Sequence, residues 1–400
     1  MLVVGGGPAG ASTACHLVRQ GIRVTILDRA RFPRDKPCAE YLSPQASRIL
    51  AAMGALRIIE ERGPAHLGGM LVRAPNGEHI RGDFAANHGF RGFRDRGLAI
   101  RRHVLDEIPL SQARDAGAEV LEQVRVTNLM HDARGRVTGV ETLDADGRAG
   151  VRHAGIVIGA DGLRSIVARR LGLARRLPWP RRIAFVTHYR GVRGVGERGE
   201  MHVERGGYLG IADVGGGLTN VALVVPMASV HGIDLDPAGY LDRWLDSHAQ
   251  LAGRFAGAER VSKVSATGPF ASAVRRAWAS GAALVGDAAD FFDPFTGEGI
   301  CSALAGGELA AMTIHDALSR PGAIDASRLA RYRTLRRRAF LGKWVIERMI
   351  GYAMLAPALF DRAVERLDRR GMADTLIGVT GQFVSPWRIL NPVALAKMLV

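Results

Sequence analysis

A chain of 400 residues exceeds the usual ~100–200 per domain, so two domains or one large composite are expected, and 47% hydrophobic content excludes a disordered or fibrous protein. The formal charge of +15, carried by 50 arginines and 4 lysines, suits an anionic partner, but no recognisable nucleic-acid motif accompanies it, so DNA or RNA binding is not expected. Cys15, Cys38 and Cys301 lack CxxC spacing, which argues against a disulfide framework, a zinc site or any other metal.

The first element is "LVVGGGPAGASTACHLVRQGIRVTILDRA": strand, glycine turn, helix, strand, acid. It starts as a strand and not as a basic, cleavable leader. No run reaches the ~18 consecutive apolar residues of a spanning helix, so a cytoplasmic location is expected. Gly5, Gly7 and Gly10 fill the GxGxxG positions: one for the tight turn, one for close approach of a pyrophosphate, one for helix–strand packing. The helix from about Pro8 to Gln20 offers free N–H groups and its positive dipole end to that phosphate. Asp28 ends the second strand, where a carboxylate binds ribose hydroxyls. A dinucleotide is therefore expected; this half alone suits NAD as well as FAD.

Three later stretches extend the pattern. "AGIVIGADGLRSIVARRLGL", Ala154 to Leu173, is a buried strand ending in Gly-Ala-Asp-Gly, followed by a helix. Residues from about Ile183 to Ser265 read as short strands that form a sheet. "GAALVGDAAD" ends a strand at Asp287, and "PFTGEGI" opens a helix from about Gly297 through Leu309. Past Leu341 the residues Leu341, Trp344, Val345, Met349, Tyr352, Leu355 and Leu359 recur near helical spacing. Arg328 to Arg370 holds twelve basic residues against four acids. This tail is either a core-facing helix with a solvated charged side, or an interfacial element assisted by its basic flanks.

Together the fingerprint, the Asp161-Gly162 motif and the Gly286-Asp287 motif resemble the FAD-dependent oxidoreductases of the aromatic-hydroxylase and geranylgeranyl-reductase superfamily. The resemblance spans residues 1–310. It implies one tightly held FAD, with Asp161 and Gly162 forming one motif and Asp287 binding the ribityl chain. Arg102 matches the superfamily's Arg-x-x-Leu-Asp helix that reaches toward the flavin. The helix N-terminus near Thr296–Gly299 is expected at the pyrimidine edge of the ring, with Gly297 and Gly299 letting the ring lie against backbone. The cofactor-binding set implied is Gly5, Gly7, Pro8, Ala9, Gly10, Asp28, Arg29, Arg102, Asp161, Gly162, Gly286, Asp287, Pro294, Gly297, Gly299 and Ile300.

"FPRDKPCAEYLSPQ" resembles the reductase branch, where Lys-Pro-Cys-Gly-Glu-x-Leu-Ser-Pro follows the second strand; here Ala39 stands in place of the glycine. Hydroxylases carry His and Gly-Gln-Gly where this chain has Asp290 and Gly297-Glu298-Gly299. Of the reductases' Tyr-x-Trp-x-Phe-Pro signature only Tyr208 survives, and the halogenases' Trp-x-Trp-x-Ile-Pro is absent, which disfavours halogenation. Cys38 has two readings, a flavin-side thiol that shapes or protonates the substrate, or a small buried hydrophobe. Glu40 is a proton carrier, or a residue that holds its loop.

The expected architecture is α/β: a discontinuous Rossmann-like FAD-binding domain (1–60, 98–175 and 265–330), a β-sheet substrate domain (61–97 and 176–264) and a helical C-terminus (331–400). The sheet is expected to roof the flavin and to exclude water. The expected function is an FAD-dependent oxidoreductase acting on a hydrophobic small molecule, first a prenyl or lipid-like C=C bond. No second GxGxxG follows, so NAD(P)H would dock only transiently. The alternatives are a monooxygenase acting on an aromatic or quinone-type ring, a non-catalytic prenyl-binding protein, and a plain NAD-binding dehydrogenase. Peripheral membrane contact through the basic C-terminal region is a further expectation. Sequence leaves the oligomeric state open.

Overall fold

The computed structural model describes residues 1–85, 89, 91–230 and 236–391. Its central layer is a six-stranded sheet in the order Trp278–Ala279, Ala282–Leu284, Val157–Gly159, Leu2–Val4, Thr25–Leu27, Glu119–Leu121. The last five of these strands run parallel. Strands buried on both faces carry continuous apolar residues, and Val3, Ile26, Val157, Ile158, Ala282 and Leu284 are buried here. Chain order reverses beside Leu2–Val4, the switch point at which open α/β sheets bind ligands.

Helix Pro8–Val18 covers this sheet and packs against Gly299–Leu318. The approach is close: a Cβ on Gly307 would lie 2.8 Å from the Ala9 carbonyl oxygen, and Ser12 Oγ donates to the Leu304 carbonyl at 2.8 Å. The second helix runs nine residues beyond the expected Leu309, because Ala310, Ala311, Ile314 and Ala317 continue its buried face.

An eight-stranded sheet forms the second layer. Its main path runs Glu259–Arg260, Arg182–Arg190, Thr219–Pro226, Gly207–Asp213, Arg198–Glu204, Gly69–Arg73, His79–Asp83, and Ser265–Thr267 also pairs with Arg182–Arg190. Strands from two distant segments thus share one sheet. Its inner face carries Ala184, Val186, Met201, Val203, Tyr208, Ala222 and Val224, which pack with Phe270 and Phe295. Residues alternate across a strand, so Arg182 and His188 flank Ala184 and Val186 on that same face.

Beyond Gly299–Leu318 the chain is helical: Arg331–Ala353, Pro357–Arg369, Ala373–Thr380 and Trp387–Leu390. Pro357 opens its helix at the first turn, where its missing N–H costs nothing. The end of the expected helical region, 392–400, lies outside the described residues. Among the described residues no helix is long and apolar enough to cross a membrane. No group of three or more His, Cys, Asp or Glu among them is arranged to hold a metal ion. The architecture is the expected one: α/β, with a Rossmann-like sheet, a β-rich layer and a helical C-terminus.

Candidate functional site

Strand Leu2–Val4 delivers the chain into Gly5 at φ +105°, where a Cβ would lie 2.5 Å from the Ala160 carbonyl oxygen. A Cβ on Gly10 would lie 1.9 Å from the Gly5 carbonyl oxygen. Both glycines are therefore fixed by the protein's own backbone. Gly7 differs: the position of its Cβ meets only Arg34 Nη2, at 3.4 Å. Helix Pro8–Val18 starts after Gly7 with no side-chain cap, leaving the N–H groups of its first turn, Ala9 and Gly10 included, for a ligand.

Asp28 is buried and accepts the Gly6 N–H at 2.7 Å on Oδ2 and the Ala30 N–H at 2.8 Å on Oδ1. The expected ribose ligand thus also pins the glycine loop, and each oxygen retains a second lone pair. Arg29 is exposed beside it.

The three separated motifs meet. Gly5 abuts Ala160 and Asp161, and a Cβ on Gly286 would lie 2.8 Å from the Ala9 Cβ. Lys36 Nζ lies 3.4 Å from Asp287 Oδ2 and 3.8 Å from where a Gly162 Cβ would stand. Asp161 Oδ2 accepts the Ile166 N–H at 2.6 Å, while its buried Oδ1 has no partner among the described residues. Burial raises this carboxyl above the usual carboxylate range. An acceptor stripped of water without a partner is costly, unless a ligand donates to it.

Arg102 opens helix Arg102–Asp115 and grips Asp106 with two bonds of 2.7 Å. Arg34 adds a third cation–carboxylate contact to Asp106 at 3.1 Å. The expected flavin-facing arginine is buried, its charge matched by Asp106 and its guanidinium beside the Cys38 sulfur.

Sequence reasoning missed the partners of Glu40. This residue is buried, with φ +60°, and Oε1 accepts the Arg102 N–H at 2.8 Å. Its Oε2 lies 2.7 Å from His188 Nε2 and accepts from Asn220 Nδ2 at 3.1 Å. His188 Nδ1 lies 3.0 Å from Ser262 Oγ. Asn220 Nδ2 also lies 2.9 Å from the Cys38 carbonyl oxygen, and the Cys38 sulfur accepts the Glu40 N–H at 3.3 Å. The left-handed backbone falls on Glu40 and not on Ala39, so the Ala39 Cβ brings no strain of that kind. A polar residue ending the inward-facing row Arg182, Ala184, Val186, His188 was the available signal for His188.

A second polar bridge joins the layers. Asp293 is buried; Oδ2 takes Arg182 Nη1 at 2.6 Å and Oδ1 accepts the Tyr208 O–H at 2.7 Å. Tyr208, the surviving aromatic of the reductase signature, thus holds the loop that carries Pro294. Burial, then Asp293, pushes its phenol well above the ordinary range.

The turn after Pro294 differs in detail from expectation. Gly297 has φ +70°, and a Cβ there would lie 2.9 Å from the Tyr41 ring, so a neighbouring side chain also demands the glycine. At Gly299 a Cβ would meet only Phe291, at 3.7 Å, which makes this the open side. Ile300 points into the core. The helix begins at Gly299 with Glu298 as an N-cap that makes no capping bond. Burial pushes the Glu298 carboxyl up to about 8. One cleft is lined by Asp287, Asp290 and Gly299 on one side and by Lys343, Trp344 and Glu347 on the other. Helix Arg331–Ala353 closes it: Arg336 pairs with Asp290, Trp344 Nε1 donates to Asp290 Oδ2 at 2.7 Å, and Lys343 pairs with Glu347 at 2.5 Å.

These residues fit a dinucleotide carrying a ring system: two uncapped helix N-termini, open sides at Gly7 and Gly299, and an orphaned carboxylate oxygen on Asp161.

A family model described as "FAD binding domain" matches residues 1–183. The chain is 31% identical over 333 residues to the menaquinone reductase of Mycobacterium tuberculosis, covering 78% of this chain and 75% of that protein. It is 31% identical over 344 residues to digeranylgeranylglycerophospholipid reductase 2 of Methanopyrus kandleri, covering 83% and 80%. Among solved structures, the flavin-dependent brominase Bmp2 superposes with a TM-score of 0.84 at 19% identity, over 99% of this chain and 98% of that one. That last likeness concerns the fold alone. The chain belongs to the FAD-dependent oxidoreductases of the geranylgeranyl-reductase and aromatic-hydroxylase superfamily, and it is an enzyme.

Proposed function

We propose that this flavoenzyme reduces a carbon–carbon double bond in a polyprenyl or similarly lipid-like substrate, with NAD(P)H or a similar donor as the source of electrons. The observation that carries the reading is the buried Glu40–His188 pair, which joins the Lys36–Pro44 loop to the roofing sheet at 2.7 Å. Saturating such a bond requires a hydride and a proton. FAD, when bound, supplies the hydride. The proton is left to the protein, and Glu40 with His188 is a pair able to hold one between Oε2 and Nε2. Asn220 fixes the carboxylate, and Ser262 Oγ at Nδ1 fixes the orientation of the imidazole. Two relatives named as reductases, one of menaquinone and one of a digeranylgeranyl phospholipid, support the substrate class.

Gly5, Gly10 and Asp28 shape the loop for the pyrophosphate and ribose, Asp161 and Asp287 offer acceptors, and the Gly299 helix end offers N–H donors. The sheet face of Ala184, Val186, Ala222 and Val224 is apolar, which excludes water and suits a hydrocarbon chain.

The test is anaerobic incubation of the purified yellow protein with NADH or NADPH and either geranylgeranyl lipids or menaquinone. A product heavier by two hydrogens is expected; a product that forms only in air, with one added oxygen, refutes the reading. His188→Gln should keep bound FAD yet lose about 10²-fold or more in turnover.

A further inference from the structure

Helix Arg331–Ala353 has two apolar faces. Tyr332, Phe340, Ile346 and Ile350 turn toward the protein, while Leu341, Val345, Met349 and Tyr352 form a separate line spaced four, four and three residues apart. The outer line emerges toward its C-terminal end, Leu341 and Val345 being half-buried. Met349 is 38% exposed and Tyr352 56%, and the next turn adds Leu355 at 55% and Leu359 at 44%. Trp179 from another part of the chain stacks on Tyr352 with ring centroids 4.9 Å apart, widening the same patch. Large apolar side chains clustered on one tip mark an interaction surface, whereas scattered ones do not.

Charge selects the occupant. Arg338 lies on the outer line of the helix, exposed Arg362 follows Leu359 by three residues, and exposed Arg181 follows Trp179 by two. Arg338 and Arg362 make no ion pair among the described residues. Of the acids near the tip, Glu365 pairs with Arg369, and Asp361, which accepts the Asn76 N–H at 3.2 Å, keeps its charge, so Arg181, Arg338 and Arg362 still outnumber it. An apolar tip rimmed by unmatched arginines complements an anionic bilayer surface, with the side chains in the acyl boundary and the guanidinium groups among the headgroups. The patch is also continuous with the interior. Ile350, Ala353 and Met354, on the same turn, pack against the cluster containing Phe295, Val186 and Tyr208, under the roof.

From these observations we infer that the hairpin between helices Arg331–Ala353 and Pro357–Arg369 docks on an anionic membrane and forms the portal by which a lipid-like substrate passes from bilayer to site. Docking stands on the surface alone; the portal role rests on the proposed substrate class. The test uses the full-length flavoprotein and vesicles of phosphatidylcholine with and without phosphatidylglycerol. Co-sedimentation with the anionic vesicles only is expected, together with a blue shift of tryptophan emission that Trp179→Phe diminishes. The triple variant Tyr352→Ser, Leu355→Ser, Leu359→Ser should keep its FAD and bind anionic vesicles about tenfold or more weakly, since each side chain loses partial burial in lipid. It should also lose turnover of vesicle-embedded substrate while keeping turnover of the same substrate in detergent micelles.

Absence of vesicle binding by the wild type, equal binding by the triple variant, or conversion of a dimer to a monomer by these substitutions would each overturn docking. Equal losses in micelles and vesicles overturn the portal. If neither form turns over any prenyl lipid, the proposed substrate fails while the vesicle result still decides docking.

Discussion

Glu298 makes the sharpest perturbation. It stands at the N-cap position of helix Gly299–Leu318 without a capping bond, is 2% exposed, and accepts from Gln382 Nε2 at 3.4 Å. Burial raises its carboxyl from 4.5 to about 8, with Glu347 pushing the same way and Lys343 opposing. An acid whose pKa is higher folded than unfolded holds extra protons in the folded state between those two values. Stability from this group is therefore fully present below about pH 4.5, declines as pH rises, and is lost above about 8. At about 1.4 kcal/mol per pH unit the decline amounts to about 5 kcal/mol as an upper bound.

Glu298→Gln keeps shape and removes the ionisation, so the variant should match the wild type at pH 5 and outlast it increasingly up to pH 9. The assay is urea unfolding of both proteins at pH 5, 6, 7, 8 and 9, followed by far-UV circular dichroism. Parallel pH profiles for the two proteins would refute the reasoning. So would a variant that is less stable at every pH.

Gly5→Ala places a Cβ 2.5 Å from the Ala160 carbonyl oxygen on a left-handed backbone, so the glycine loop must move. The variant should leave gel filtration colourless, and a retained ratio of visible to 280 nm absorbance would contradict this. Arg182→Met strands the Asp293 carboxylate between the layers and should cost about 3–5 kcal/mol, whereas Tyr208→Phe removes one bond to a charged acceptor and should cost about 1.5–3. Urea midpoints of the two variants check the order, and a larger loss for Tyr208→Phe would reverse the assignment.

The glycine fingerprint and the two later acid motifs were legible because their demands are local: a left-handed Gly5, a strand end, a helix start. Asp28 and Asp161 were legible as acids of a binding site but not as anchors of backbone N–H groups, since spacing says where a carboxylate stands and not what it accepts. His188 and Asn220 were not legible as partners of Glu40, nor Ser262 as the partner of His188. They arrive from 148 to 222 positions away, and only the sheet register brings them together. The stripe from Leu341 to Leu359 shows a further limit. Periodicity reveals that a helix has an apolar side, but helix Arg331–Ala353 has two, and the side turned inward includes charged residues such as Lys343 and Glu347. A reading weighted by hydropathy passes over them.

Those buried charges bear on the reaction through Glu298. A carboxylate anion at that N-cap would consume the positive potential of the helix end, which on the proposed geometry faces the cofactor. Kept neutral by burial up to about pH 8, the side chain leaves that potential for negative charge arriving from outside. Raising the pH beyond 8 should then place a like charge next to the reduced cofactor and make reduction harder in the wild type but not in Glu298→Gln. An effect of about 1 kcal/mol corresponds to about 20 mV for a two-electron couple. The midpoint potential of bound FAD, titrated against reference dyes from pH 6 to 9.5, should diverge between the two proteins by about that amount only above pH 8. Coincident curves across the whole range would show that the Gly299 helix end does not face the flavin.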